Sequence, residues 1–466
     1  MFKTIKKRNG QVAPFKIEKI INAIYKVFLI LAVIFITAFI FTNSVKAQEV
    51  SGGTLLFPEM PGVVEATSTH FQITNSYYLN ITLDSSETIN LRLESVPEMV
   101  TMMIKPVSSA ISTQITIKGF SPLTTYYKYQ DDYHNLVEFT TDGNGSYFYV
   151  QDLSKTHFVF IQTGKSTKFI KDDATGGDCY LIGNWDLNNK TCTLTTDLNE
   201  TIQIDNNDII LDGSGHTITG NNTGSGIYLY RKSGITLKNL KVQKFTNGIR
   251  LDFSSNNIID NNITVSNFYY GILLDVDPEN NINNFSSNNT IINNKSNLNM
   301  IGIFLGYFSS NKPVTGNLVD SNSLGGIFLF PYANNNIFTN NTISNNGEFY
   351  SGMYFLGAHN NKIYNNNFIN NSLIDGRQSY VYGGDGNIFN LAAPIGGNYW
   401  SNWTRWNPPH EYCKDLNYDN FCDSPYGNYN WQDNLPWTKQ DGWKLPQNQP
   451  PTISNLNQYK SDSQTL

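Results

Sequence analysis

The feature that most constrains this chain is a phrase stated six times between about Glu200 and Asn390. It reads Ser225-Gly226-Ile227-Tyr228-Leu229, Asn247-Gly248-Ile249-Arg250-Leu251 and Tyr270-Gly271-Ile272-Leu273-Leu274. It continues as Ile301-Gly302-Ile303-Phe304-Leu305, Gly325-Gly326-Ile327-Phe328-Leu329 and Ser351-Gly352-Met353-Tyr354-Phe355. Successive glycines are 22, 23, 31, 24 and 26 residues apart. A second phrase, Asn-Asn-x-Ile-x-x-Asn-Asn in outline, falls between them at Asn256–Asn262, Asn335–Asn341 and Asn360–Asn366. A period in this range, built of short apolar alternations split by Asn and Gly, specifies a solenoid. One coil cannot bury its own apolar face, so stacking of neighbours supplies the core.

Side chains alternate across a strand, so the first and third residues after each glycine share one face. Those positions hold Ile227/Leu229, Ile249/Leu251, Ile272/Leu274, Ile303/Leu305, Ile327/Leu329 and Met353/Phe355. They are uniformly apolar and fill the interior. The second and fourth positions then point outward. The second reads Tyr228, Arg250, Leu273, Phe304, Phe328, Tyr354, and the fourth reads Tyr230, Asp252, Asp275, Gly306, Phe330, Leu356. So apolar an outer column marks an interface or a ligand groove. In one reading Tyr228, Tyr230, Phe304, Phe328 and Tyr354 form a ladder for sugar rings. In the other, the aromatic-rich tail (398–443) or an N-terminal domain covers the column. Asp252 and Asp275 fall in one register column, which places their carboxylates on the order of 5 Å apart, the separation of retaining glycosidase pairs. Catalysis, a Ca²⁺ or ligand site, and a solvated acidic patch neutralised by Arg250 all fit that placement.

The flanks differ. Residues 1–47 read as a signal peptide or signal-anchor helix: Lys16, Lys19 and Lys26 precede an uncharged apolar run from Val27 to Val45, and Val45-Lys46-Ala47 suits cleavage. Contact with a membrane is expected only through this segment, if it is left uncleaved. Residues 51–169 carry short alternating runs at His70–Thr74, Thr88–Leu93, Thr113–Ile117 and Ser146–Val150. Turns such as Asp142-Gly143-Asn144-Gly145 separate them, which predicts a small β-sandwich. Its Asp131, Asp132 and His134 read as solvated loop residues. The solenoid is expected over 172–395, a terminal cap over 396–443, and a linker with the first strand of a truncated immunoglobulin-like domain over 444–466.

Cysteine usage and charge narrow the function classes. Cys179 and Cys192, and Cys413 and Cys422, form two close pairs in a chain whose leader predicts export, which predicts two local disulfides. A Cys/His metal site using His410 is the competing reading. The first pair would staple a cap over the open first coil. Net charge is −6 and only 15% of residues are charged, so a nucleic-acid surface is excluded. In the tail, Asp415, Asn417, Asp419 and Asp423 stand at positions 1, 3, 5 and 9 of a loop, with the Phe421 carbonyl at position 7. These are Ca²⁺-ligand spacings, although the acid at position 12 is replaced by Tyr426.

Two stretches resemble known families. Phe120-Ser121-Pro122-Leu123-Thr124-Thr125-Tyr126 resembles a fibronectin type III segment in which the Tyr hydroxyl ties a corner to the backbone. Three features together resemble the NosD-like and carbohydrate-binding, sugar-hydrolase right-handed parallel β-helices. These are Ile209–Ile218, the Gly-Ile and Asn-Asn phrases, and the closing Gly396-Gly397-Asn398-Tyr399-Trp400-Ser401-Asn402-Trp403 with Asp415–Tyr426. The resemblance implies an all-β chain: a right-handed, single-stranded parallel β-helix behind the sandwich. The family name implies copper, but few His, Met or Cys cluster here, so copper is not expected. The leading function is a secreted or cell-surface protein that binds carbohydrate or mediates adhesion, with extracellular polysaccharide or cell-surface glycan as partner. A polysaccharide lyase, hydrolase or epimerase is the alternative, and a structural stalk the third. No nucleophile motif, Lys/Arg lyase cluster or metal triad stands out, which favours a non-enzyme.

Overall fold

The computed structural model describes residues 4–6, 12–14 and 62–444, apart from 75, 77, 97–98, 165–166, 276–285, 348–350, 373–377, 402–412 and 429–430. The chain divides into two units, Met1–Glu49 and Val50–Leu466. Of the first, the described part is an antiparallel pair of strands, Thr4–Lys6 and Val12–Pro14. Most of the expected leader, and nearly all of the expected linker and immunoglobulin-like strand, lie outside the described residues. No helix among the described residues is long and apolar enough to cross a membrane.

Among its described residues the second unit is all β apart from two helical turns, Cys179–Ile182 and Gly442–Lys444. Strands between Val63 and Gln162 form an antiparallel sheet that folds over on Thr82–Val96. That 15-residue strand pairs with Ser112–Lys118 through its first part and with Met99–Pro106 through its second, so it belongs to both layers. Leu83, Leu91, Met102, Ile104, Ile115, Ile117, Val159 and Ile161 fill the space between. The Tyr126 hydroxyl accepts the Ser121 N–H at 3.2 Å, the corner bond expected from its motif.

From Thr167 onward the chain is a parallel β-solenoid with three sheets of nine, nine and eight strands. The six Gly phrases lie in the first sheet, in the register read from sequence. Ile227, Ile249, Ile272, Ile303, Ile327 and Met353 stack inward, and Tyr228, Arg250, Leu273, Phe304, Phe328 and Tyr354 stack outward. The glycines are needed because adjacent coils approach closely. A Cβ at Gly248 would sit 2.5 Å from the Gly271 carbonyl oxygen.

The Asn-Asn phrase divides its labour within each pair. The first Asn takes the left-handed conformation, as at Asn261 (φ 53°), Asn293 (φ 57°), Asn340 (φ 57°) and Asn365 (φ 54°). Asn tolerates that region better than other side chains. The second turns inward and is buried. In one ladder each Asn Oδ1 accepts both the backbone N–H and the side-chain N–H of the preceding coil's Asn: Asn262 to Asn294, Asn317, Asn341, Asn366 and Asn398. These bonds satisfy the backbone of a turn that is shut away from water.

Both ends are closed. Cys179 and Cys192 are disulfide-bonded and buried in the first-coil core beneath the hairpin Gly183–Asp186/Thr191–Leu194. At the other end Phe389, Trp400, Tyr426 and Trp431 pack together, and Cys413 is bonded to Cys422.

Candidate functional site

The outward column of the first sheet is where the sequence placed chemistry, and the sandwich is packed against it. The strand His157–Gln162 is buried at every residue. Val159 and Ile161 face the sandwich core, while Phe158 and Phe160 face the coils beside Met103, Tyr129, Tyr133 and Tyr228. Met99 lies with Tyr270, Leu273, Phe304 and Phe328 in a second apolar cluster. Tyr228, Phe304 and Phe328 are therefore buried, at 0%, 3% and 5% exposure. Tyr230 is half-buried against Phe253, and Tyr354 is half-buried with its ring stacked on Tyr380 at 5.6 Å and 17°. The expected sugar ladder is corrected on two counts. Most of the column is shut off from solvent, and where rings stack from coil to coil they occupy each other's faces.

Of the expected carboxylate pair, the side chain of Asp275 lies outside the described residues. Asp252 and Asp275 do pair in the backbone register. Asp252, however, is fully buried. Arg250 Nε donates to both of its oxygens at 2.9 and 3.0 Å, and the Tyr228 hydroxyl donates at 2.9 Å. The guanidinium also lies over the Phe160 ring at 5.0 Å. Burial and the adjacent Asp252 carboxylate hold the Tyr228 hydroxyl well above its usual pKa, so it stays a donor. A paired, desolvated carboxylate under a second domain meets neither substrate nor water. The gap left beside Arg250, Tyr270 and Phe304 is ≈ 30 Å³, space for about one water.

The loop at Asp131–His134 is no idle surface turn. Tyr133 N–H donates to Gln203 Oε1 at 2.9 Å, and the Tyr133 hydroxyl accepts the Ser225 N–H at 3.3 Å. His134 Nε2 pairs with Asp205 at 2.7 Å, and its ring stacks on Phe169 at 3.8 Å. The Tyr228 hydroxyl also reaches the Asp131 carbonyl at 3.1 Å. Asp131 in turn holds His157 at 2.9 Å. These bonds fix the sandwich to the first coils.

Sequence reasoning missed two buried charges. Asp433 is fully buried and ends the Asn ladder: its Oδ2 accepts the Asn398 N–H at 2.7 Å and the Trp400 indole N–H at 2.9 Å. Burial pushes its pKa up to about 7, against those donors. Lys312 occupies a ladder position, its N–H donating to Asn336 Oδ1, and burial lowers its ammonium pKa far below the usual value. The spacing of 23 residues from Asn289 and 24 to Asn336 was the available signal for Lys312. For Asp433 there was none.

The tail loop folds as a tight turn. Asp415 accepts the N–H groups of Asp419 and Asn420, both at 3.0 Å. Asp419 accepts the Phe421 N–H at 2.9 Å, and Asp423 accepts the Leu416 N–H at 2.7 Å. Asn417 contacts the Asp419 carboxylate at 3.1 Å.

Residues 174–404 match the family model described as periplasmic copper-binding protein (NosD). The match spans most of the coils of the solenoid. Among solved structures, the periplasmic alginate epimerase AlgG is similar over 37% of this chain and 37% of its own, at 23% identity and TM-score 0.29. The catalytic domain of a GH87 α-1,3-glucanase in complex with tetrasaccharides is similar over 76% of this chain and 90% of its own, at 11% identity and TM-score 0.23. A GH87 catalytic unit from Streptomyces thermodiastaticus covers 75% and 99%, at 10% identity and TM-score 0.20. No curated protein matches.

The NosD description raises copper, and the described residues do not fit it. All four cysteines are in disulfides. Among the described residues no three His, Cys, Asp or Glu side chains are placed to hold a metal ion together. Met99 and Met103 face the coils while Met102 faces the sandwich core, so these thioethers do not share a site either. Copper favours such soft or imidazole ligands.

Proposed function

We propose that this chain is an extracytoplasmic carbohydrate-binding protein, secreted or held at the cell surface, that does not turn over its ligand. The observation that carries the reading is the sealing of Asp252: the one place where the coil column could have supplied paired acid chemistry is locked by Arg250 and Tyr228 under the sandwich. Between charged side chains such as Lys244, Lys295 and Lys362, the coil surface carries neutral groups in register. Asn239 and Asn261 bond side chain to side chain at 2.8 Å on adjacent coils, and Thr315 and Thr339 do so at 3.0 Å. Amides and hydroxyls in register are donors and acceptors for a neutral polyhydroxylated chain. Two disulfides and the NosD match support the compartment. Ca²⁺ in the loop of Asp415, Asn417, Asp419, Phe421 and Asp423 belongs to the same proposal, as a structural ion.

The test offers the purified full chain a panel of neutral and acidic extracellular polysaccharides. Calorimetry reads binding, and assays of reducing and unsaturated ends read turnover. Binding without new chain ends is the expected result. New ends on any polysaccharide, or no binding across the panel, overturn the reading.

A further inference from the structure

We infer that the chain pairs with a second copy of itself, edge to edge, through the sandwich strand Ser146–Asp152. Among the described residues this strand pairs only with Ser112–Lys118, so it ends its sheet. The contacts with the coils come from elsewhere in the sandwich, through Met99, Met103, Tyr129, Tyr133, Phe158 and Phe160. A free strand edge is a template for another strand, and proteins blunt such edges with bulges, charges or proline. The sheet's other two edges are blunted. Val63–Gln72 shifts register between Ser68 and His70. Asp132–Thr140 pairs through a shift at Tyr129/Gln130 and exposes His134 and Glu138. Ser146–Asp152 runs in unbroken register without proline, and its central outward residues, Phe148 and Val150, are 68% and 72% exposed.

The peptide groups left over on that edge select the occupant. Odd-numbered residues turn theirs toward Ser112–Lys118: just beyond the two ends of the pairing, Leu153 N–H donates to the Ile111 carbonyl at 2.9 Å and Phe120 N–H to the Gly145 carbonyl at 3.1 Å. The pattern alternates along an antiparallel strand, so even-numbered residues face out. Ser146 is already satisfied, its N–H by Asp142 Oδ1 at 2.8 Å and its carbonyl by the Asp142 N–H at 3.1 Å. The Asp152 carbonyl accepts the Gln151 side-chain amide at 3.0 Å. Phe148 and Val150 remain. A two-fold axis through Tyr149 sets Phe148 of each copy opposite Val150 of the other, and each such pair exchanges two N–H···O bonds. The same register puts the two apolar side chains side by side on the outer face. The rims are complementary in charge. Ser146 falls opposite Asp152 of the second copy, and the half-exposed Lys118 stands beside Ser146, so each Lys118 reaches over a serine toward the other copy's Asp152.

An edge of this length buries less than the roughly 1,200 Å² of stable complexes, so the pair is weak and Phe148 is open in dilute solution. Sedimentation equilibrium of the full chain from about 1 to 500 µM passes from one chain toward two. Phe148→Lys and Val150→Lys, at exposed positions and with unchanged melting, each weaken the association about tenfold or more. Lys118→Glu weakens it about threefold. Cysteine pairs read the register, because the chain has no free cysteine of its own. On mild oxidation a mixture of Phe148→Cys and Val150→Cys chains forms the linked pair several-fold faster than either variant alone, since opposed Cα atoms lie about 5.5 Å apart. A single mass at every concentration, association unchanged in Phe148→Lys, or no preference for the mixed cross-link overturns the pairing.

Discussion

At the scale of single residues, the buried charges carry the account. Asp252 is paired with Arg250 of its own strand and accepts from the neutral Tyr228 hydroxyl. Removing one member of a buried pair leaves the other charged and desolvated, so Asp252→Ala should cost about 3–5 kcal/mol of stability by denaturant unfolding. The double change Arg250→Met with Asp252→Leu should recover much of that, which a catalytic pair would not predict. Asp433 gives a pH signature. Burial raises its folded pKa to about 7 from the usual carboxylate value of 3.8, so between those values the folded protein holds a proton that the unfolded chain has already released. Its contribution is complete below about pH 4 and is lost as pH rises through 7, by about 4 kcal/mol in total. Melting followed from pH 5 to 8 should fall more steeply in wild type than in Asp433→Asn; parallel curves would remove Asp433 as the source.

At the scale of elements, the solenoid was legible because its signal is periodic. The inward Ile/Leu column and the outward column came out in register, since one period fixes both faces of a strand. The Asn pairs were legible only in part. Composition and turn chemistry give the left-handed Asn261, but the inward Asn262 needs the next coil's Asn294 to make sense of it. The strand His157–Gln162 held a missed signal: an apolar run without alternation means both faces are covered. The loop Asp415–Asp423 is the element whose chemistry is still to be tested. If Ca²⁺ binds there, calorimetric melting should rise on adding Ca²⁺ and return with chelator, and Asp415→Ala with Asp419→Ala should abolish the rise. Identical melting with Ca²⁺ and chelator would reject the ion.

At the scale of the whole molecule, what was not legible is which part of the chain covers the outer column. Tail and sandwich both carried the aromatics to do it, and nothing in a linear sequence pairs Phe160 with Tyr228 or Tyr133 with Gln203. The tail instead closes the last coil through Trp400, Tyr426 and Trp431, and the sandwich takes the column. A covered column holds the sandwich and the coils together. Hydroxyl-radical footprinting of the intact chain, read residue by residue by mass spectrometry, tests this most directly. Tyr228 and Phe304 should be protected while Phe148 and Tyr382, 68% and 61% exposed, are modified readily. Modification of Tyr228 and Phe304 at rates comparable to Phe148 would mean that the column is open, and would contradict the account.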